Sequence, residues 1–238
     1  MCEKRQKISL VGIGMGTVMT MTAQAEKAVQ SADCLIGAAR MLDAVRDMEA
    51  VEGKPMLAEY RGDQILSYLR LHPEYRETAV LFSGDTGFHS GAKGLADLLR
   101  KEMPEWEIQM VPGIASAVYL AARLKTSWED AALVSLHGKE ENFIQTVSRS
   151  RKTFLLLGGK DAGKRALERL REYGMDEVIL HVGTRLSYPD ERILSGTVQE
   201  LGETDLDGLS VVLAENPSPS LSACCHVPDE EFIREMCL

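Results

Sequence analysis

The chain has 238 residues, 45% of them hydrophobic and 26% charged, enough for one large domain or two modest ones with a proper core. Its net charge of −9 opposes nucleic acid and anionic membrane as partners. No apolar run reaches transmembrane length and the opening MCEKRQK lacks the apolar stretch of a secretory signal; the odd number of cysteines, with no CxxC pair, makes a reducing cytoplasm the expectation.

Strand and helix signals alternate through the first half. Ile8–Val11 reads as a strand and Thr22–Ala32 as a helix, with Thr20 or Thr22 as its N-cap. Cys34–Ile36 reads as a strand, Arg40–Met48 as a helix, and Gly62–Leu71 as a helix stopped by Pro73. Thr78–Phe82 and Trp106–Val111 read as strands, followed by helices at Gly91–Lys101 and Ser116–Leu124. Repeated βα units of this kind imply an α/β fold with a mostly parallel sheet.

The second half has a different texture. Ala132–Leu136, Thr153–Leu157, Glu177–Val182 and Ser210–Ala214 read as strands, and Glu140–Ser150 as a helix. Ala162–Tyr173 is a strongly amphipathic helix ending at Gly174. Glu191–Leu194 and Thr197–Glu200, separated by Ser195-Gly196, read as a hairpin, so this sheet is mixed. The expected boundary lies near residue 115, giving domains 1–115 and 116–238.

Cys2, Cys34, Cys224, Cys225 and Cys237 are odd in number and contain no CxxC pair, so neither a disulfide framework nor a metal site is expected. Cys224-Cys225-His226 reads as incidental, as does His72.

Three small-residue turns carry the functional signal: VGIGMG at Val11–Gly16, SGDTGFHSG at Ser83–Gly91, and PGIAS at Pro112–Ser116. Each ends a strand and precedes a helix. Ligands of open α/β sheets bind outside the carboxyl ends of the strands, so the three turns mark one edge as a binding site. GIGMG alone is part of a dinucleotide fingerprint. That fingerprint wants a third glycine where Thr17 and Val18 stand, and an acid about 20 residues on, after the second strand. Asp33 precedes that strand. A nucleotide-dependent oxidoreductase or a non-catalytic binding module is therefore the weaker alternative.

Asp85 offers a carboxylate to a ligand, or an acceptor to the N–H groups of its own turn. His89 is the candidate general base, with a solvent-facing histidine at a helix start as the plainer reading. His137 and His181 are similar but weaker. Lys93, Arg123, Lys125, Lys139 and Lys160 are candidates for a basic lining, each also readable as a surface charge. Arg192 reads as a partner of Asp190 or Glu191.

Together the three turns resemble the tetrapyrrole (corrin/porphyrin) methylase family. There the first turn is usually Gly-x-Gly-Pro-Gly, with Met15 here in place of proline. The second is usually Gly-Asp-Pro, with Thr86 here in place of proline, and Pro112, Gly113, Ile114 and Ser116 match the third. SGDTGFHSGA, PGIASAVYLAARL, LSYPDERI, SGT and ENPSP are similar to the branch that methylates C5 of cobalt-precorrin-7 in anaerobic cobalamin synthesis. The chain end at Leu238 resembles the stand-alone form of that branch.

The resemblance implies two α/β domains with S-adenosylmethionine in the cleft between them. It also implies a tetrapyrrole substrate, a homodimer, and possible association with a separate C15-methylating decarboxylase subunit. The cofactor contacts it implies are Ser83, Gly84, Asp85, Phe88, Ala115 and Ser116, with Leu157, Gly158, Gly183 and Ala214 from the second domain. Gly12, Gly14, Met15 and Gly16 would line the macrocycle side. The reaction it implies is an in-line displacement in which a ring carbon attacks the methyl carbon on the sulfonium and the thioether leaves, with Asp85 and His89 as catalytic candidates. Another methylase of the same fold, acting on a different position or on a metal-free ring, is the nearer alternative.

Overall fold

The computed structural model describes residues 5–136, 142–159, 161–202, 206 and 210–220. Cys2, His137, Lys139, Lys160, Cys224, Cys225, His226 and Cys237 lie outside the described residues. The chain divides into two compact units, Met1–Leu124 with Leu186–Glu191, and Lys125–Arg185 with Arg192–Leu238.

The first unit is built on β1 (Lys7–Gly12), β2 (Cys34–Gly37), β3 (Met56–Ala58), β4 (Glu77–Phe82) and β5 (Glu107–Val111). They form one parallel sheet in the order β3-β2-β4-β1-β5. Its strands alternate between two buried faces, as a parallel sheet covered on both sides requires. Ile8, Leu10, Ile36 and Val80 belong to one core, and Val11, Leu35, Ala79 and Leu81 to the other. Helices α3 (Gly62–Leu71) and α4 (Ala92–Glu102) supply Ile65, Leu69, Leu95 and Leu99 to the first core. Helices α1 (Ala23–Ser31) and α2 (Ala39–Asp43) supply Ala25, Val29, Met41 and Leu42 to the second. Thr22 caps α1, its hydroxyl accepting from the Ala25 amide at 3.1 Å.

Helix α5 (Ser116–Leu124) also belongs to this unit, which therefore extends past residue 115. Its Ala117, Leu120 and Ala121 are buried, and its Tyr119 and Arg123 hold the returning segment at Glu191. The helix expected over Arg40–Met48 is short, ending at Asp43, and the strand Met56–Ala58 was not anticipated.

The second unit contains β6 (Ala132–Ser135), α6 (Phe143–Arg149), β7 (Lys152–Leu156), α7 (Ala162–Glu172), β8 (Ile179–Thr184), β9 (Arg192–Thr197) and β10 (Ser210–Glu215). The sheet order is β6-β7-β10-β8-β9, with β6 and β7 parallel and the other pairs antiparallel. The apolar stripe of α7, Ala166, Leu167 and Leu170, packs with Leu155, Leu180, Val182 and Val212. The hairpin expected around Ser195-Gly196 is instead the continuous strand β9. Ser195 pairs with His181 and Gly196 with Leu180, so the partner strand is β8. Among the described residues, no helix is long and apolar enough to cross a membrane.

Candidate active site

The three turns leave three adjacent strands, because β1 lies between β4 and β5. Gly12 ends β1 and Gly14, Met15 and Gly16 follow it; Ser83, Gly84, Asp85, Phe88 and His89 follow β4; Ala115 and Ser116 follow β5. The parallel sheet thus brings all first-unit candidates to one edge.

Backbone contacts fuse the turns. The Gly14 amide donates to the Gly84 carbonyl at 3.1 Å, and the Gly84 amide donates back to Gly14 at 2.8 Å. Gly113 packs so close to the first turn that a Cβ on it would stand 2.6 Å from the Gly12 carbonyl oxygen. No side chain fits there, which explains why glycine follows Pro112.

Asp85 ties the second turn to the third. Its Oδ1 accepts from the Gly87 amide at 2.8 Å and its Oδ2 from the Gly113 amide at 3.0 Å. The carboxylate therefore serves the backbone, the second of the two roles its sequence allowed. Thr86 is buried and its hydroxyl reaches the Val111 carbonyl at 3.5 Å. In the first turn, the Met15 amide donates to the Thr20 hydroxyl at 3.0 Å, which itself donates to the Thr17 carbonyl at 3.0 Å.

Ser83 and His89 are exposed at this edge, and Phe88 and Ser116 are half-buried. His89 has a left-handed backbone, φ 46°, and its ring meets Phe88 edge-on at 5.1 Å.

The segment Leu186–Glu191 lies on the same unit. Glu191 Oε2 accepts from the Tyr119 hydroxyl at 3.0 Å and the Ser187 amide at 2.7 Å, and Oε1 from Arg123 Nε at 2.7 Å. Burial raises the Glu191 carboxyl, but the Ser187, Tyr119 and Arg123 donors outweigh it and hold the group below its ordinary value. Burial and the same carboxylate push the Tyr119 phenol up. Arg123, a candidate for the basic lining, is thus taken by Glu191. Lys93 pairs with Asp97 at 2.7 Å on the α4 surface, and Lys125 is exposed with φ 57°.

In the second unit, Leu157 and Gly158 follow β7, and Gly183 pairs with Val211 at the start of β10. Antiparallel pairing of β7 and β10 puts these three at one end of the sheet. Ala214 pairs with Thr153 and Leu180 at the opposite end and is 1% exposed. It is not brought together with the others, because β10 runs against β7. His181 lies mid-strand, its Nδ1 2.7 Å from the Ser195 hydroxyl and its Nε2 3.5 Å from Glu215.

Arg40 escaped the sequence reading. It follows β2, the neighbour of β4, and its guanidinium donates to Ser83 Oγ at 3.2 Å and to Tyr188 Oη at 3.4 Å. No motif letter marks it; the strand order alone brings it beside Ser83.

The profile of the Tetrapyrrole (Corrin/Porphyrin) Methylases matches residues 7–202. The chain belongs to this family. Among its curated relatives, the "probable cobalt-precorrin-7 C(5)-methyltransferase" of Methanocaldococcus jannaschii is 29% identical over 215 residues, spanning 87% of this chain and 97% of the relative. The cobalt-precorrin-7 C(5)-methyltransferase of Salmonella typhimurium is 25% identical, over 78% of this chain and 88% of its own. The solved uroporphyrin-III C-methyltransferase of Thermus thermophilus, a complex with S-adenosylhomocysteine, shares the fold of this methylase. The TM-score is 0.68 at 19% identity, covering 88% of this chain and 97% of that one.

Proposed function

We propose that this methylase transfers a methyl group from S-adenosylmethionine to C5 of cobalt-precorrin-7 in anaerobic cobalamin synthesis. The observation that carries the reading is its similarity to the Methanocaldococcus jannaschii relative over 87% of the chain.

The first-unit edge suits such a cofactor. An adenosyl group with a zwitterionic tail is best held by backbone N–H and C=O groups that small residues leave accessible. The fused turns supply that surface, with Ser83, Gly84, Phe88, Ala115 and Ser116 along it, and Leu157, Gly158 and Gly183 are the second-unit residues we assign to the same ligand. S-adenosylmethionine supplies a methyl group on a positively charged sulfur. The chain's part is placement, and well-oriented reactants gain roughly 7–11 kcal/mol. Asp85 acts by positioning: with both oxygens on backbone amides it fixes the turns rather than moving a proton. His89, exposed beside them, is the general base we assign to this turn. Gly12, Gly14, Met15 and Gly16 are assigned to the macrocycle. We further propose a cytoplasmic homodimer.

The test is complementation. Expressed in a bacterium whose own cobalt-precorrin-7 C5-methyltransferase gene is deleted, the protein restores cobalamin-dependent growth. Folded, soluble protein that binds S-adenosylhomocysteine without restoring growth overturns the C5 assignment and points to another ring position.

A further inference from the structure

The binding edge extends beyond the three turns. Strand β2 flanks β4 and strand β3 flanks β2, so residues after those strands lie along the same line of carboxyl ends. A cavity of about 160 Å3 opens there, with Ala38, Arg40, Met41, Tyr60, Phe82 and Ser83 in its lining.

Arg40 is the notable charge of that lining. Its two contacts, Ser83 Oγ at 3.2 Å and Tyr188 Oη at 3.4 Å, are to neutral hydroxyls. Among the described residues, no carboxylate stands within ion-pair distance of it. Glu59 lines the same cavity but is already engaged. Its carboxylate takes Arg61 at 2.8 Å and the amides of Tyr60 and Arg61 at 2.8 and 2.9 Å. Those bonds, the Arg61 guanidinium first, hold its carboxyl at about 2, so it stays ionised and paired.

The placement of Arg40 is built in. Tyr188 reaches it because residue 16 is glycine; a Cβ there would run into the Tyr188 hydroxyl. Segment 186–191 is itself fastened by Glu191, and by a hydrogen bond between the Thr17 and Ser187 hydroxyls. Ser83 accepts from Arg40, which leaves its own O–H able to donate to whatever Arg40 binds. In a chain of net charge −9, an arginine offset by no acid among the described residues is a local anion trap.

We infer that Arg40 and Ser83 form a carboxylate subsite at the end of β2 and β4. This deepens the proposed function and rests on it, since two carboxylate sources meet such an enzyme: the amino-acid end of the cofactor, and the acidic side chains of the macrocycle. A planar guanidinium fork with an adjacent hydroxyl fits a carboxylate and discriminates against its amide.

The experiment compares wild type with Arg40→Met, which keeps the apolar stem, and Arg40→Lys, which keeps the charge, all checked for folding by circular dichroism. Calorimetry measures S-adenosylhomocysteine against 5′-methylthioadenosine, which lacks the carboxylate. Absorbance titration measures cobyrinic acid against cobinamide, whose peripheral acids are amides. All three proteins also enter the complementation assay. Arg40→Met weakens one acid ligand about tenfold or more and leaves its neutral counterpart unchanged, with partial recovery in Arg40→Lys. Loss on S-adenosylhomocysteine assigns the subsite to the cofactor; loss on cobyrinic acid, or on growth with cofactor binding intact, assigns it to the macrocycle. Arg40→Met that binds both S-adenosylhomocysteine and cobyrinic acid and restores growth like wild type overturns the subsite and leaves the methyltransferase reading standing. Wild-type protein that binds neither acid ligand overturns that reading, and the subsite with it.

Discussion

The Asp85 carboxylate accepts the Gly113 amide at 3.0 Å, across the strand that separates their own two strands. With its other oxygen on the Gly87 amide, this one side chain sets the distance between the second and third turns. Asp85→Ala leaves both amides without an acceptor. Hydrogen bonds to a charged group contribute about 1.5–3 kcal/mol each. The expected outcome is a lowered melting temperature and S-adenosylhomocysteine affinity reduced about tenfold or more. Asp85→Asn keeps one acceptor oxygen and recovers part of both. If calorimetry finds Asp85→Ala binding like wild type, the carboxylate is not what aligns the turns.

Close backbone packing gives a second prediction. A Cβ at Gly113 meets backbone, 2.6 Å from the Gly12 carbonyl, and neither strand can yield locally. Overpacking of this kind costs about 1–3 kcal/mol. Gly113→Ala therefore melts lower and loses ligand binding. Gly94, inside α4, has open space around its missing Cβ. Gly94→Ala is expected to raise stability by about 0.5–1 kcal/mol through helix propensity, with binding unchanged. Equal effects at the two sites in thermal melts would refute the packing argument.

Glu191 makes stability depend on pH in a stated direction. Its carboxyl is held below the ordinary 4.5, so its contribution is complete above that pH and is lost as pH falls through the folded value. Tyr119 is raised above its ordinary 10.0, so its contribution is present below that pH and fades as pH rises past it. Glu191→Gln keeps an acceptor for Ser187 and Tyr119 but removes the charge facing Arg123. Melts of the variant and wild type should differ at pH 7 and converge as pH falls through the folded value of Glu191. A gap that persists in acid would show that the carboxylate charge is not responsible.

The parts of the fold that local pattern encodes were legible. Alternating apolar strands with small-residue turns mark the parallel sheet, and of the two cap candidates, Thr20 and Thr22, the structure uses Thr22. What sequence does not carry is strand order and direction. Arg40 meets Ser83 because β2 neighbours β4, a pairing of elements that no local spacing reports. Ala214 stands away from Gly183 because β10 runs antiparallel, and an isolated apolar strand reads the same in either direction. The Ser195-Gly196 pair looked like a turn since glycine in a strand interior is unfavourable. Here it sits in β9, over Leu201, where an added Cβ would be 3.2 Å from the leucine side chain. The partners of Glu191, Arg123 and Tyr119, lie 68 and 72 residues away, which is why no spacing within YPDERI shows them.

Met15 stands where the family usually has proline, and its amide is used: it donates to the buried Thr20 hydroxyl at 3.0 Å. Proline has no N–H, so Met15→Pro removes that bond, at a cost of about 1 kcal/mol. Proline also restricts the unfolded chain, which stabilises by about 0.4–1 kcal/mol where the backbone accepts it. The two effects nearly cancel, and the single variant should melt within a few degrees of wild type. The informative measurement is the double-mutant cycle with Thr20→Val, which removes the acceptor. In wild type the valine strands the Met15 amide, whereas the Thr17 carbonyl keeps its bond from the Thr20 amide at 3.0 Å; in Met15→Pro no amide is left to strand. A coupling energy of about 1 kcal/mol is expected. Strict additivity would mean that the Met15–Thr20 bond contributes nothing, and that the first turn holds its shape through its other bonds, those between Gly14 and Gly84 among them.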